Sequence, residues 1–199
     1  MRIIKHFLAL LIAIGFAGVS NADISYNELV SGDLASDVAT PTDLGLVDLG
    51  KNTISGTLLN SVNFDPDVFS FTVAAGQQLD MVSLTSLSST GERHFLAFHN
   101  GPLNQSLASE NWITTLVDSS DLDDNFLTIG SLENTYGGTG LPGGPVGAGT
   151  YHIWLQETDG QDYDYTFSVS TSQAIPEPSS AVVALLGICA FAMRRRKVS

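Results

Sequence analysis

Two acidic stretches hold the side chains best suited to chemistry. Asp65-Pro66-Asp67 sets two carboxylates two positions apart, and "DSSDLDDN" gathers Asp118, Asp121, Asp123, Asp124 and Asn125. Oxygens at this density suit a hard cation, because Ca2+ takes about six to eight oxygen ligands from carboxylates, carbonyls and water. The candidate ligands are Asp65, Asp67, Asp121, Asp123, Asp124 and Asn125, and Ca2+ is the one cofactor considered. An EF-hand starting at Asp121 is excluded: its sixth position is Phe126 instead of Gly and its twelfth is Leu132 instead of Glu. The competing reading is plainer. Asp65-Pro66-Asp67 is then a turn whose carboxylates cap backbone amides, and 118–125 is a solvated acidic loop.

Other chemistries find less support. His94 and His99 are an odd number of positions apart, so on one strand they project to opposite faces and do not share a zinc ion. Gly138, Gly140 and Gly143 spell G-x-G-x-x-G, but Pro142 and Pro145 break the chain where a phosphate-binding helix would begin, and a strand-like stretch follows. The sequence has no G-x-S-x-G nucleophile elbow. A carboxylate pair for glycoside hydrolysis is a matter of spatial separation and leaves no mark in the spacing. Trp154, with His152 beside it, is the candidate ligand-binding surface, since an outward indole can stack on a sugar ring; core packing is the alternative, and the preferred one for Trp112.

These residues sit in a middle region of one-domain size. Between residues 23 and 175 there are 20 acidic residues against two cations, Lys51 and Arg93, a balance of −18. Such a body repels phosphate and lacks the Lys and Arg needed to displace counterions, which excludes nucleic acid as a partner. The single cysteine, Cys189, lies near the C-terminus, so the middle region has no disulfide and depends on packing.

Alternation with a period of two recurs through this region, and no long helical stripe does. In "YDYTFSV" Tyr163, Tyr165, Phe167 and Val169 fall on one face, and in "DVFSFTV" Phe69, Phe71 and Val73 do the same. "GTYHIWLQE" sets Tyr151, Ile153 and Leu155 opposite His152, Trp154 and Gln156. Weaker strands are expected over 52–59, 78–87, 94–99, 112–117 and 126–129. Residues 25–37 could form a short helical turn, interrupted at Gly32. The expected class is all-β, an antiparallel β-sandwich or jelly roll.

Both ends read as handling signals. Arg2 and Lys5 precede an apolar run from Phe7 to Val19, and Ser20-Asn21-Ala22 offers a signal-peptidase site with cleavage after Ala22. At the other end Pro176-Glu177-Pro178 precedes an apolar stretch, followed by Arg194, Arg195, Arg196 and Lys197. A helix over 179–193 would cover about 22 Å of a hydrocarbon layer about 30 Å thick, a marginal span whose basic end favours the cytoplasm. This order of parts resembles the PEP-CTERM sorting signal of Gram-negative bacteria. The resemblance implies an exosortase-type membrane transpeptidase as partner, a precursor held at the inner membrane, and delivery to the cell surface or an extracellular matrix. A permanent single-span anchor is the alternative.

A second resemblance covers about residues 55–170. "SGTLLNSVNFDPDVFSFTVAAGQQLDMVSL" and "VGAGTYHIWLQETDGQDYDYTFSVS" are similar to the bacterial pre-peptidase C-terminal domain, which implies a compact antiparallel sandwich and carries no implication of proteolysis. The stretch 100–148 departs from that pattern. The expected organisation is a signal peptide over 1–22, an acidic lead-in over 23–48, the sandwich over 49–173, and a sorting tail over 174–199 with a membrane segment at 180–193. The expected function is non-enzymatic, adhesion or extracellular polysaccharide binding, with a small secreted hydrolase or a structural matrix protein without a specific ligand as alternatives.

Overall fold

The computed structural model describes residues 25–59, 65–89, 92–103, 111–128 and 143–174, which form an all-β fold of two sheets. The signal helix expected over 1–22, with Ala22, lies outside the described residues, as do Pro176, Glu177, Pro178, the membrane segment 180–193 and the arginines 194–196. In chain order the elements are β1 (Ser25–Asn27), a one-turn helix α1 (Glu28–Ser31), β2 (Thr42–Leu46), β3 (Gly50–Leu58), β4 (Asp67–Val73), β5 (Gln77–Leu87), β6 (His94–Asn100), β7 (Ile113–Val117), β8 (Gly149–Gln156) and β9 (Tyr163–Gln173). One sheet has the order β1-β3-β9-β5 and the other β2-β4-β8-β6-β7.

The main ladders are antiparallel, as expected, but β1 lies parallel to β3 and β2 parallel to β4. These two edges correct the wholly antiparallel expectation. Each edge strand reaches its partner through a long connection instead of a hairpin, so no tight turn imposes opposite directions.

The apolar faces meet between the sheets. Tyr165, Phe167 and Val169 of β9 and Ile54 and Leu58 of β3 face Phe69, Phe71, Tyr151, Ile153 and Leu155 across the core. Phe167 is its aromatic centre: it packs edge-on against Phe69 of the opposite sheet (ring centroids 6.0 Å apart), Tyr165 (5.7 Å) and Phe126 (6.3 Å). Trp112 packs against this core, edge-on to Phe98 at 5.8 Å.

Strand β5 keeps its apolar residues inward only by two bulges. Leu79, Val82, Leu84 and Leu87 are buried at spacings of three, two and three, and the register against β9 shifts between Leu79 and Met81 and again between Leu84 and Ser86. Each extra residue restores the inward phase that strict alternation would lose.

Of the strand expected over 126–129, the described residues 126–128 form turns, and Phe126 enters the core from the loop after β7, which runs along β5, with its N–H bonded to Val82 O at 2.8 Å. The Asn125 side chain replaces a ladder here, its Oδ1 accepting from Leu127 N (3.0 Å) and its Nδ2 donating to Asp80 O (3.0 Å).

Strand β4 is buried on both faces. A second cluster of Val38, Val68, Ala97 and Leu103 covers the outer side of its sheet, tied by the Val68 N–H to Ala35 O at 2.8 Å.

Candidate metal centre

The centre is built by the short segment after β1. The parallel register of Ser25, Tyr26 and Asn27 with Thr53, Ile54 and Ser55 sets the start of α1 against β3. Asn27 caps the turn, its Oδ1 accepting from Leu29 N at 3.0 Å, and Gly32, at φ 101°, ends it. The Tyr26 hydroxyl donates to Gly32 O at 2.7 Å and fixes the reversal. Glu28 is thereby clamped at both oxygens: Oε1 accepts from Leu34 N (2.9 Å) and Oε2 from Thr57 N (2.6 Å).

Against this segment stands Asp67, the first residue of β4. It is fully buried, and neither of its carboxylate oxygens has a hydrogen-bond partner. Carboxylate oxygens of Glu28, Asp33 and Asp67 all lie within 4.8 Å of one another, the one such group of three among the described residues. The donors are all hard oxygens close enough to share one ion, and Ca2+ takes about six to eight such oxygens at about 2.3–2.6 Å, so the residues fit calcium.

The electrostatics agree. Burial pushes Asp67 up to about 8; Glu28, Asp65 and Asp33 act in the same direction, and only the Tyr165 hydroxyl opposes them. That hydroxyl faces the carboxylate without closing a hydrogen bond of its own. Burial also raises Glu28, against the two backbone N–H groups that hold its anionic form. A buried carboxylate among like charges must take up a proton or a cation.

The sequence-predicted ligands divide. Asp67 is at the centre, and Asp65 stands beside it with Oδ1 accepting from Ser36 Oγ at 2.5 Å. Asp121, Asp123, Asp124 and Asn125 do not join them, because their loop runs along β5, with Asp123 N bonded to Leu84 O at 2.8 Å. Asp118 and Asp121 serve as a reciprocal cap on the 3-10 turn Ser119–Asp121, and Asp118 also pairs with Arg93 at 3.7 Å. Glu28 and Asp33 were missed. Their local signal was an Asn27 cap and a Gly32 stop around a one-turn helix; their meeting with Asp67 depends on the parallel pairing of β1.

Of the histidines, His94 is buried edge-on to Tyr163 (4.5 Å) and His99 lies on the opposite face beside Trp112. His152 is directly across from His99 in the ladder. Trp154 is half-buried on the outer face of the second sheet, its ring 4.7 Å from Phe95 and packed on the Val68 cluster.

Gly56 is required by the centre. A Cβ there would lie 2.6 Å from Tyr165 Oη and 2.7 Å from Glu28 Oε2. Gly56→Ala must therefore displace Glu28 from Thr57 N. We expect it to lower stability by about 1–3 kcal/mol and to remove the response to calcium, read from thermal melts with and without chelator.

No curated protein matches the chain. Residues 174–197 match the PEP-CTERM protein-sorting motif, with Pro176-Glu177-Pro178 and Arg194–Arg196 inside the matched stretch. Signals of this kind are processed by exosortase, a membrane enzyme, and imply export to the cell surface. The chain thus carries a PEP-CTERM protein-sorting motif and is an exported protein sorted by exosortase.

Proposed function

We propose that this protein is a non-enzymatic, calcium-loaded surface or matrix module of a Gram-negative bacterium, delivered by its sorting tail and used for adhesion to extracellular polysaccharide. The observation that carries the reading is Asp67, a fully buried carboxylate with two unpartnered oxygens facing Glu28 and Asp33. Calcium is abundant outside the cell and would join the segment bearing Glu28 and Asp33 to strand β4 of the opposite sheet. The most strongly perturbed acid is sealed from solvent, which favours a structural cation over general acid catalysis on a polymer.

The test uses the secreted protein and the polysaccharide of its host. Calcium-dependent cosedimentation with no change in polymer chain length supports the reading. Progressive shortening of the polymer replaces it with a hydrolase, and no association in calcium or chelator replaces it with a structural filler.

A further inference from the structure

We infer that the outer face of the second sheet carries a binding site for one neutral pyranose ring of a polysaccharide, in a pocket lined by Phe95, Leu116, Trp154, Gln156 and Thr158. The inference rests on the polysaccharide reading, and it names the class of sugar and a place for it apart from the cation cluster.

Strand alternation builds the pocket. In β6 the core takes His94, Leu96 and Phe98, so Phe95 falls on the outer face. Phe95 is paired with Gln156 of β8 on one side and with Leu116 of β7 on the other, which sets the three side chains in one row across the sheet. Trp154, two residues before Gln156, shares that face, and its ring lies 4.7 Å from Phe95 with 60° between the planes. Two bonds fix the rim: Thr158 Oγ1 donates to Arg93 O, and the Arg93 guanidinium donates to Leu116 O at 3.2 Å. The pocket has a volume of about 260 Å³, the space of about eight or nine waters. Sites that enclose a whole drug-sized ligand start at about 300 Å³, so this one holds a single ring of a chain that continues outside.

The lining matches a sugar in two ways. Aromatic side chains suit the C–H face of a pyranose, and the Gln156 amide, with two donors and an acceptor, suits its hydroxyls. That amide has no hydrogen-bond partner among the described residues. Charge then selects the class. All five lining residues are uncharged, in a body with 20 acidic residues against two cations. The cation beside the pocket, Arg93, is already paired with Asp118 at 3.7 Å. Glu92, Glu157 and Asp159 also act on His94, the neighbour of Phe95 in β6. A uronate therefore meets repulsion here, and a neutral ring does not.

The experiment titrates the full exported chain, in calcium, with cellohexaose, mannohexaose and an alginate hexamer, by calorimetry and by intrinsic fluorescence. Trp112 packs against the core, so the indole that responds should be Trp154. We expect a neutral hexamer to bind and shift the emission, and the alginate hexamer not to bind. Trp154→Ala should lose about tenfold or more in affinity, and Trp154→Phe should keep most of the binding but lose the emission shift. Because Trp154 also packs on the Val68 cluster, Gln156→Ala, outside both core clusters, supplies the second variant and should lose about three- to tenfold. Binding of neither neutral hexamer, preference for alginate, or wild-type affinity in both Trp154→Ala and Gln156→Ala overturns the site. If the host polysaccharide still cosediments with those two variants as with the wild type, this site falls and the adhesion reading stands. No association of the wild type with that polysaccharide sinks the adhesion reading itself.

Discussion

In chelator at pH 7, Asp67→Asn melts at or above the wild-type protein, and calcium raises the melting temperature of the wild type alone. The difference follows from two effects at this position. Without a cation the wild-type carboxyl is raised from 3.8 to about 8, so the folded state holds a proton that the unfolded chain releases. Stability from this group is fully present below about pH 4 and is lost as pH rises from there through 8, on the order of 4 kcal/mol by pH 7. Asn removes that cost together with the metal ligand. With calcium at a hundredfold excess over its Kd, the wild type gains about 2.7 kcal/mol, or roughly 5–10 °C for a domain of this size. The variant gains nothing. Differential scanning calorimetry of both proteins between pH 4 and 8 reads all of these quantities.

Phe167→Ala should be the most damaging single core change, lowering stability by about 3–5 kcal/mol and the melting temperature by roughly 10–15 °C. The ring is fully buried and touches Phe69 of the facing sheet, Phe126 of the loop after β7, and Tyr165 of its own strand. Its loss therefore opens a cavity where three separate pieces of chain meet, with no disulfide to hold them. Phe167→Leu fills most of that space and should cost about 1 kcal/mol or somewhat more. Leu46→Ala, at a residue 61% exposed, is the control and should stay within about 0.5 kcal/mol. Chemical denaturation of the three variants checks the order.

Strands β4, β8 and β9 were legible because one face of each carries aromatic and aliphatic residues at every second position, a local pattern that needs no knowledge of partners. Strand β5 was harder: its inward residues, Leu79, Val82, Leu84 and Leu87, obey the alternation only after two bulges, and bulges are set by the register with β9. The stretch after Asn125 mimicked a strand through Phe126 and Leu127, yet a side-chain amide turned it into a plug. For the cation site, Asp67 stood out by its spacing from Asp65, while Glu28 and Asp33 were invisible. Their contribution arises from a parallel edge pairing that brings together residues more than thirty positions apart. The dense acidic run at 118–125 attracted attention by composition, but the Asp118 and Asp121 carboxylates and the Asn125 amide are occupied by neighbouring backbone. The sorting motif was the most legible feature, because its parts lie in fixed order on a single stretch of chain.

Isothermal titration of the exported protein with calcium at pH 7, in buffers of different ionisation enthalpy, tests the Asp67-centred cation site most directly. The expected result is one ion bound per chain with release of about one proton, and no binding heat from Asp67→Asn. An absence of heat in the wild type, or an unchanged isotherm in the variant, would contradict it.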